Sequence, residues 1–181
     1  MVIILNRDRI DGDNIYLQLM TEEDTDDIIR WRNNPNIREK FIFRELFTRE
    51  THQRWINNQI TKHNAVQFII FEKDGNRKIG SVYLRDIDQT HHKAEYGIFI
   101  GENDAQGKGF GTETAGLMID YAFHELNLHR IFLRVYANNV QAIRSYEKAG
   151  FVEEACLRND VRIDGSYRDM LLMAIVNEEG K

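Results

Sequence analysis

A glycine-rich segment, Gln106–Thr112, offers the clearest chemistry in the sequence. It reads Gln-Gly-Lys-Gly-Phe-Gly-Thr and stands between a predicted strand and a predicted helix. Glycine lets the backbone turn sharply and lets a ligand approach closely, because no Cβ stands in the way. The first turn of the following helix has N–H groups without intrahelical acceptors and carries a partial positive charge. The segment therefore favours an anion site suited to a pyrophosphate, to which Lys108 either adds a charge or stays solvated.

This segment differs from the two common phosphate-loop patterns. The P-loop pattern GxxxxGK[ST] is absent from the sequence. A dinucleotide fingerprint needs GxGxxG and an acidic residue about 20 positions later, whereas Gly107, Gly109 and Gly111 give GxGxG. Taken alone, the segment also fits an ordinary turn at the start of a helix.

A second motif, Asn139–Phe151, follows the next predicted strand and reads Asn-x-x-Ala-x-x-Ser-Tyr-Glu-Lys-x-Gly-Phe. Together the two motifs resemble the acetyl-CoA site of the GNAT acetyltransferases. The signature of that family is [Q/R]xxGx[G/A], then a helix, a strand and an Asn…Tyr-Glu-x-x-Gly-Phe segment. The residues that fill these patterns are Gln106, Gly109, Gly111, Asn139, Tyr146, Gly150 and Phe151. The resemblance extends over nearly the whole chain.

Further segments are similar to the RimJ/RimL-like branch of that family, which includes spermidine N-acetyltransferases. They are Asn127–Ile131, Gly150–Glu154, Asp164–Asp169 and Trp31–Pro35. The resemblance implies a single α/β domain over residues 1–181, with a central mixed, mostly antiparallel sheet flanked by helices. It also implies two splayed parallel strands that hold acetyl-CoA, and no metal.

The resemblance further implies which residues bind the co-substrate. The pantetheine arm would lie between the strands Lys93–Ile100 and Arg130–Tyr136 and would pair with the backbone of the first. Backbone N–H groups of the glycine-rich segment would hold the pyrophosphate, and the Asn139 side chain would hydrogen-bond the arm. The full set implied is Ile98, Phe99, Ile100, Gln106, Gly107, Lys108, Gly109, Phe110, Gly111, Thr112, Asn139, Ala142, Ser145 and Tyr146.

The implied reaction is direct attack of a primary amine on the acetyl thioester. An alkylamine has a pKa of about 10, so a base or a water relay must remove a proton before it attacks. Tyr146 matches the family's general acid for the thiolate, although it also fits a core aromatic on one helix face. Glu95 matches an acceptor-facing glutamate that takes the proton, although it also fits a surface strand residue. His91 and His92 are alternative bases, because imidazole titrates near neutrality.

The acceptor amine is less clearly marked. Arg32, Arg38 and Arg44 fall in the region where this family binds its acceptor, and they suit a carboxylate or phosphate. Spermidine acetyltransferases carry acidic clusters there, whereas residues 38–45 mix both signs. The segment Trp31–Asn33 also resembles acetyltransferases that act on nucleotide-linked amino sugars. An amino sugar, a polyamine and a peptide or ribosomal-protein amine all stay open, and so do plain exposed arginines.

Two functions from other classes fit the sequence less well than an acetyltransferase does. A non-catalytic acyl-CoA-binding module would keep the glycine-rich segment without an acid and base, and the presence of Tyr146 and Glu95 argues against it. A nucleotide-binding protein would need the Walker lysine or a ribose-binding acid, and both are missing.

Apolar alternation and turn residues predict the elements that position these motifs. Helices are predicted from Thr21 to Trp31, over residues 49–60, from the glycine-rich segment to Leu126, and over residues 139–149, with a break at Asn33–Asn36. Strands are predicted at residues 14–19, 66–72, 79–86, 93–100, 130–136, 151–157 and 167–176.

Composition excludes several classes. The 181 residues are 42% apolar and 29% charged, which is typical of one globular domain. The net charge of −5 argues against a nucleic-acid partner. No apolar run is long enough to span a membrane, and Met1–Arg9 lacks signal-peptide features, so we expect a cytoplasmic protein. Dimers are common among similar proteins, so the resemblance also implies a homodimer or higher homo-oligomer. Cys156 is the one cysteine, and we expect it to be buried in a strand.

Overall fold

An eight-stranded mixed sheet organises the chain in the computed structural model, which describes residues 7–178. The strands are β1 (Arg9–Asp11), β2 (Ile15–Leu19), β3 (Val66–Glu72), β4 (Arg77–Asp88), β5 (Lys93–Ile100), β6 (Arg130–Tyr136), β7 (Val152–Ile163) and β8 (Ser166–Val176). Their order across the sheet is β1-β2-β3-β4-β5-β6-β8-β7. All neighbours are antiparallel except β5 and β6, which run parallel.

The helices cover both faces of this sheet. They are α1 (Thr25–Asn33), α2 (Pro35–Arg38), α3 (Arg49–Trp55), α4 (Phe110–Asp120) and α5 (Val140–Lys148). Two of them continue as wider π-type turns, α3 through Ile56–Ile60 and α4 through Tyr121–Glu125. The larger core lies between the sheet and α4, and a smaller core packs Ile28 and Trp31 of α1 against Ile69 and Phe99 on the other face.

The parallel strands β5 and β6 separate after a short common stretch. They pair only at Lys93↔Arg130, Ala94↔Ile131 and Glu95↔Phe132. Beyond Glu95, β5 continues to pair with β4, and β6 continues to pair with β8. Ile98–Ile100 therefore have no backbone pairing with β6, as the family resemblance implies.

The predicted end of the first helix near Asn33 is correct, but the short helix that follows it was not predicted. Helix α1 does end at Asn33, but α2 begins two residues later at Pro35. Proline is favoured in the first helical turn because its missing N–H would be unpaired there anyway. The Asn34 side chain accepts a hydrogen bond from the Asn36 N–H at 3.1 Å and caps the new helix. The sequence pattern also did not predict the short strand β1.

The expectation that Cys156 is buried was wrong, because its side chain is exposed. Strand β7 lies at the edge of the sheet and pairs only with β8. An edge strand that no helix covers leaves one row of side chains in solvent, and Cys156 belongs to that row.

The chain termini limit two of the sequence expectations. Most of the N-terminal segment that lacks signal-peptide features lies outside the described residues. Within residues 7–178, no helix combines the length and the apolar character that crossing a bilayer requires. The same residues contain no group of three or more His, Cys, Asp or Glu side chains placed to hold a metal ion.

Glu113 of α4 ties that helix to the start of β2. Its Oε1 accepts from the Asn14 N–H at 2.8 Å and the Ile15 N–H at 3.2 Å, and its Oε2 accepts from Asn14 Nδ2 at 3.1 Å. Burial opposes the charged carboxylate, but the hydrogen bonds from Asn14 and the neighbouring backbone outweigh it. The pKa of Glu113 is therefore lowered from its ordinary value of 4.5.

We expect Glu113→Ala to lower the free energy of unfolding at pH 7 by about 1.5–3 kcal/mol, the usual worth of hydrogen bonds to a charged group. A group with a depressed folded pKa stabilises the protein above its unfolded pKa and loses that effect as the pH falls through the folded pKa. The deficit of the variant should therefore shrink in acid. Urea unfolding at pH 7 and at about pH 3 measures this. Glu153→Ala, on exposed β7, is the control, and an equal loss in both variants would contradict the prediction.

Candidate active site

A cleft of about 710 Å³ opens where β5 and β6 separate. Its walls come from α1, the segment after α2, β4, β5, the glycine-rich segment, β6 and α5. Side chains from both faces of the sheet line it, because the gap between β5 and β6 interrupts the sheet. A ligand bound on one face can thus meet a second ligand bound on the other.

The glycine-rich segment forms one end of the cleft. Gly107 and Gly109 have φ of 77° and 89°, in the left-handed region that favours glycine. A Cβ at either position would meet no atom within 4 Å, so open space faces them. The Gln106 side chain anchors the segment by donating to the Ile100 carbonyl at 3.1 Å. The N–H groups of Thr112 and Glu113 donate to the Gly109 carbonyl, which leaves the earlier N–H groups of this turn for a ligand.

Helix α5 closes the adjoining wall. The Asn139 Oδ1 accepts from the Ala142 N–H at 3.3 Å and caps the helix. This use of Oδ1 leaves the Nδ2 donor of Asn139 for the predicted contact with the co-substrate. The Ser145 and Thr112 hydroxyls lie 3.0 Å apart and link α5 to α4.

Most residues predicted to bind the co-substrate line this cleft. They are Ile98, Phe99, Ile100, Gln106, Gly107, Gly109, Gly111, Thr112, Asn139, Ala142, Ser145 and Tyr146. The side chains of Lys108 and Phe110 are placed elsewhere. Lys108 pairs with Glu72 at 3.4 Å, and Phe110 is buried in the main core. The part of Lys108 and Phe110 in binding the co-substrate stays a prediction.

Tyr146 reaches the cleft from α5 with a largely buried ring. Its ring packs edge-on against Tyr96 and Phe151, with centroids 6.1 Å and 5.9 Å away. Burial raises the pKa of Tyr146 far above its ordinary value, and the nearby Tyr83 adds to the shift. The phenol therefore keeps its proton at neutral pH, as a proton donor must.

Glu95 is buried, with 8% of its surface exposed, which rules out the simple surface position. Two arginines hold its carboxylate. Arg85 donates to Oε2 from Nη2 at 2.8 Å and from Nε at 3.1 Å, and Arg134 Nε lies 3.4 Å from Oε1. Within the part of the chain that the structure describes, Oε1 makes only this one long contact, so it retains the capacity to accept from another donor.

Neither of the two alternative bases, His91 and His92, lines the cleft. His91 is exposed and its Nδ1 lies 2.9 Å from Asp88 Oδ2. His92 is half-buried, and its Nδ1 lies 2.9 Å from the Asn127 carbonyl. Both stay in the hairpin between β4 and β5, away from Tyr146.

The three predicted acceptor-binding arginines have different positions. Arg32 lines the cleft, whereas Arg38 and Arg44 lie outside its lining. Arg44 fastens the segment after α2, because it donates to the Glu39 carbonyl at 2.7 Å and pairs with Asp164 at 3.1 Å.

Sequence reasoning missed Tyr83, Arg85 and Arg134, which line the cleft near Glu95. We call this part of the cleft, together with Arg32, the acceptor side. Register between β4 and β5 places Tyr83 opposite Gly97 and Arg85 opposite Glu95. A Cβ on Gly97 would lie 2.4–2.5 Å from atoms of the Tyr83 ring, so glycine makes room for that ring. Pairing the two predicted strands by their charges would have found the Arg85–Glu95 contact.

The family profile described as Acetyltransferase (GNAT) domain matches residues 14–152. This part of the chain contains both sequence motifs and the two strands, β5 and β6, between which the cleft opens. The chain belongs to the GNAT acetyltransferase family. It is 35% identical to the spermidine N(1)-acetyltransferase of Vibrio cholerae over 147 residues, 81% of this chain and 84% of the relative. A putative ribosomal N-acetyltransferase of Bacillus subtilis, YdaF, is 31% identical over 100 residues, 55% of this chain and 54% of the relative.

Solved structures support the same assignment. The crystal structure of the Vibrio cholerae spermidine N-acetyltransferase in complex with CoA and spermine superposes with a TM-score of 0.84 at 31% identity. The match covers 91% of this chain and 96% of that chain. This GNAT protein is therefore an N-acetyltransferase with acetyl-CoA as co-substrate, and the predicted single mixed α/β domain is confirmed. The assignment to the RimJ/RimL-like branch stays a prediction.

The residues at the cleft fit the acetyl-CoA group. The open left-handed glycines and the free N–H groups at the start of α4 suit a pyrophosphate. The backbone of Ile98 and Phe99 does not pair with β6 and suits the amides of a pantetheine arm, while the Ile100 carbonyl already accepts from Gln106. Arg144 and Lys148 of α5 also line this end and add positive charge for phosphates.

Proposed function

We propose that this acetyltransferase moves the acetyl group to a primary amine of a small molecule or peptide by direct attack, with Tyr146 as general acid. The position of the Tyr146 phenol carries the proposal, because it stands beside the gap between β5 and β6 with its proton retained. A neutral phenol there supplies the proton that the departing thiolate needs. The sheet gap supplies the backbone N–H groups that stabilise the charge on the thioester oxygen.

We assign the acceptance of the amine proton to Glu95. Glu95 lines the cleft, and among residues 7–178 its Oε1 has one long contact, to Arg134. The two arginines hold the carboxylate in one orientation, which is what a base acting directly or through one water requires.

The relatives bear on the acceptor in different ways. Several are named spermidine N(1)-acetyltransferases, and one is a putative ribosomal N-acetyltransferase, so polyamine and peptide amines are both candidates here. The Vibrio cholerae enzyme is described as dodecameric, which supports a homo-oligomer for this chain. We also propose that residues 1–181 form one domain that works in the cytoplasm, where a chain with one unpaired cysteine is compatible with reducing conditions.

Calorimetric titration with acetyl-CoA, followed by free-thiol release with an amine panel, tests the proposal. The panel contains spermidine, a peptide with a free α-amine and an amino sugar linked to a nucleotide. We expect binding at micromolar concentrations and amine-dependent thiol release with at least one member. Binding without release on any amine would favour an acyl-CoA-binding module instead. No binding of acetyl-CoA would reject the proposed function.

A further inference from the structure

Arg32 stands out because it is a cation inside the cleft without an anionic partner. Its guanidinium stacks on the Phe41 ring, with Cζ 3.4 Å from the centroid, and lies 5.1 Å from the Phe47 ring. Among residues 7–178, no carboxylate forms an ion pair with it and no side chain or carbonyl accepts a hydrogen bond from it. Stacking holds the guanidinium plane and leaves its edge, with five N–H donors, directed away from the rings.

Arg32 is half-buried, so its guanidinium loses part of its hydration. Desolvation lowers the pKa of Arg32, and the neighbouring Arg85 lowers it further, while Tyr83 opposes the shift. A buried charge normally has a partner, because the loss of hydration is otherwise uncompensated. The partner that this chain does not provide would come from the ligand.

The charges around the acceptor side point the same way. Apart from Arg144 and Lys148 at the phosphate end, the Lys and Arg side chains that line the cleft are Arg32, Lys40, Arg85 and Arg134. Among the described residues, Glu95 is the one carboxylate in that lining, and Arg85 and Arg134 already hold it. A polycation would enter a positive site, whereas an amine with its own anionic group would bring the missing charge.

Arg32 lines the same cleft as the proposed base and acid, Glu95 and Tyr146. Tyr83 is close enough to Arg32 and Glu95 for their charges to affect its pKa. An oxyanion bound at Arg32 can therefore belong to the same small molecule as an amine near Glu95.

We propose that the acceptor is a small molecule that carries an oxyanion, a carboxylate or a phosphate, besides its amine, and that Arg32 binds this oxyanion. A bidentate guanidinium–oxyanion pair on an aromatic face is strong and geometrically selective. The proposal rests on the proposed acetyl transfer and names the substrate class of the same site. Arg32 is thus a specificity-determining residue rather than a catalytic one.

Thiol release with amines of matched length tests this assignment. The probes are 4-aminobutyrate, 3-aminopropyl phosphate, butylamine and 1,4-diaminobutane, with spermidine and an amino sugar linked to a nucleoside diphosphate alongside. We expect kcat/KM to be about 10-fold to 100-fold higher for the anionic amines than for the neutral or cationic ones. The carboxylate and phosphate arms then show which oxyanion the site prefers. Equal or better use of spermidine or 1,4-diaminobutane would overturn the proposal.

Two variants separate recognition from folding. Arg32→Gln should raise KM for the anionic amines and abolish their advantage in kcat/KM over butylamine. Arg32→Lys keeps the charge and should retain part of the preference. Arg54→Gln, on the exposed surface of α3, is the matched control and should behave as the unmodified chain. A full preference for anionic amines in Arg32→Gln would reject Arg32 as their binding residue.

Failure of this proposal can be distinguished from failure of acetyl transfer. If amines are acetylated without any preference for an anion, the transfer stands and the oxyanion proposal fails. If acetyl-CoA does not bind, the transfer fails. Calorimetric titration of the anionic probes into the unmodified chain and into Arg32→Gln then decides the oxyanion proposal alone. Binding that Arg32→Gln removes supports it, and no binding rejects it.

Discussion

Replacing Tyr146 with phenylalanine is expected to lower kcat by about 100-fold to 10,000-fold, the usual contribution of a positioned general acid. The substitution removes only the hydroxyl and keeps the ring that packs on Tyr96 and Phe151. The Kd for acetyl-CoA should stay nearly unchanged, because backbone groups of the glycine-rich segment carry most of the proposed binding. Thiol-release kinetics and calorimetric titration of the same preparation measure both quantities.

Tyr167→Phe is the matched control, because that ring is 62% exposed on β8 and away from the cleft. It should leave kcat unchanged. The raised pKa of Tyr146 adds a pH signature. A group whose pKa is raised keeps its proton to higher pH, so loss of this acid should not limit the rate between about pH 7 and 10. The deficit of Tyr146→Phe should persist across that range, and unchanged turnover throughout would remove Tyr146 from the mechanism.

Local patterns were enough to predict most elements and the co-substrate end of the site. The glycines before α4 and the Gly150 after α5 act within a few residues, so their spacing carries the signal. The first and last residues predicted for β3, β5 and β6 are those of the structure. The splay of β5 and β6 followed only from the family resemblance, because no local pattern shows where two parallel strands stop pairing.

The acceptor side depended on contacts between distant residues, and prediction was weaker there. The burial of Glu95 arises from Arg85 on a neighbouring strand and Arg134 on another, which strand order alone brings together. Arg32, Arg38 and Arg44 are alike in sequence, yet only Arg32 lines the cleft, because Arg44 is used to fasten a segment to Asp164. Cys156 looked like a core residue because an apolar strand pattern does not show that the strand lies at a sheet edge.

Gly109→Val should raise the Kd for acetyl-CoA by about 10-fold or more. Gly109 has φ of 89°, where a β-branched residue costs roughly 1–3 kcal/mol of backbone strain. The added side chain would also enter the open space that faces the segment, since no atom lies within 4 Å of a Cβ there. Both effects act on the same turn, because relief of the strain would move the N–H groups that begin α4. Calorimetric titration with acetyl-CoA measures the change.

Gly109→Ala and Gly116→Ala separate the causes. Gly109→Ala keeps most of the strain but adds only a methyl group, so a smaller loss of affinity would show that blocked approach contributes to the valine effect. Gly116 lies within α4 with ordinary helical φ and open space around it, so Gly116→Ala should leave the Kd unchanged. An unaltered Kd in Gly109→Val would mean that the phosphates of acetyl-CoA bind elsewhere. The cations of α5, Arg144 and Lys148, would then be the first groups to replace.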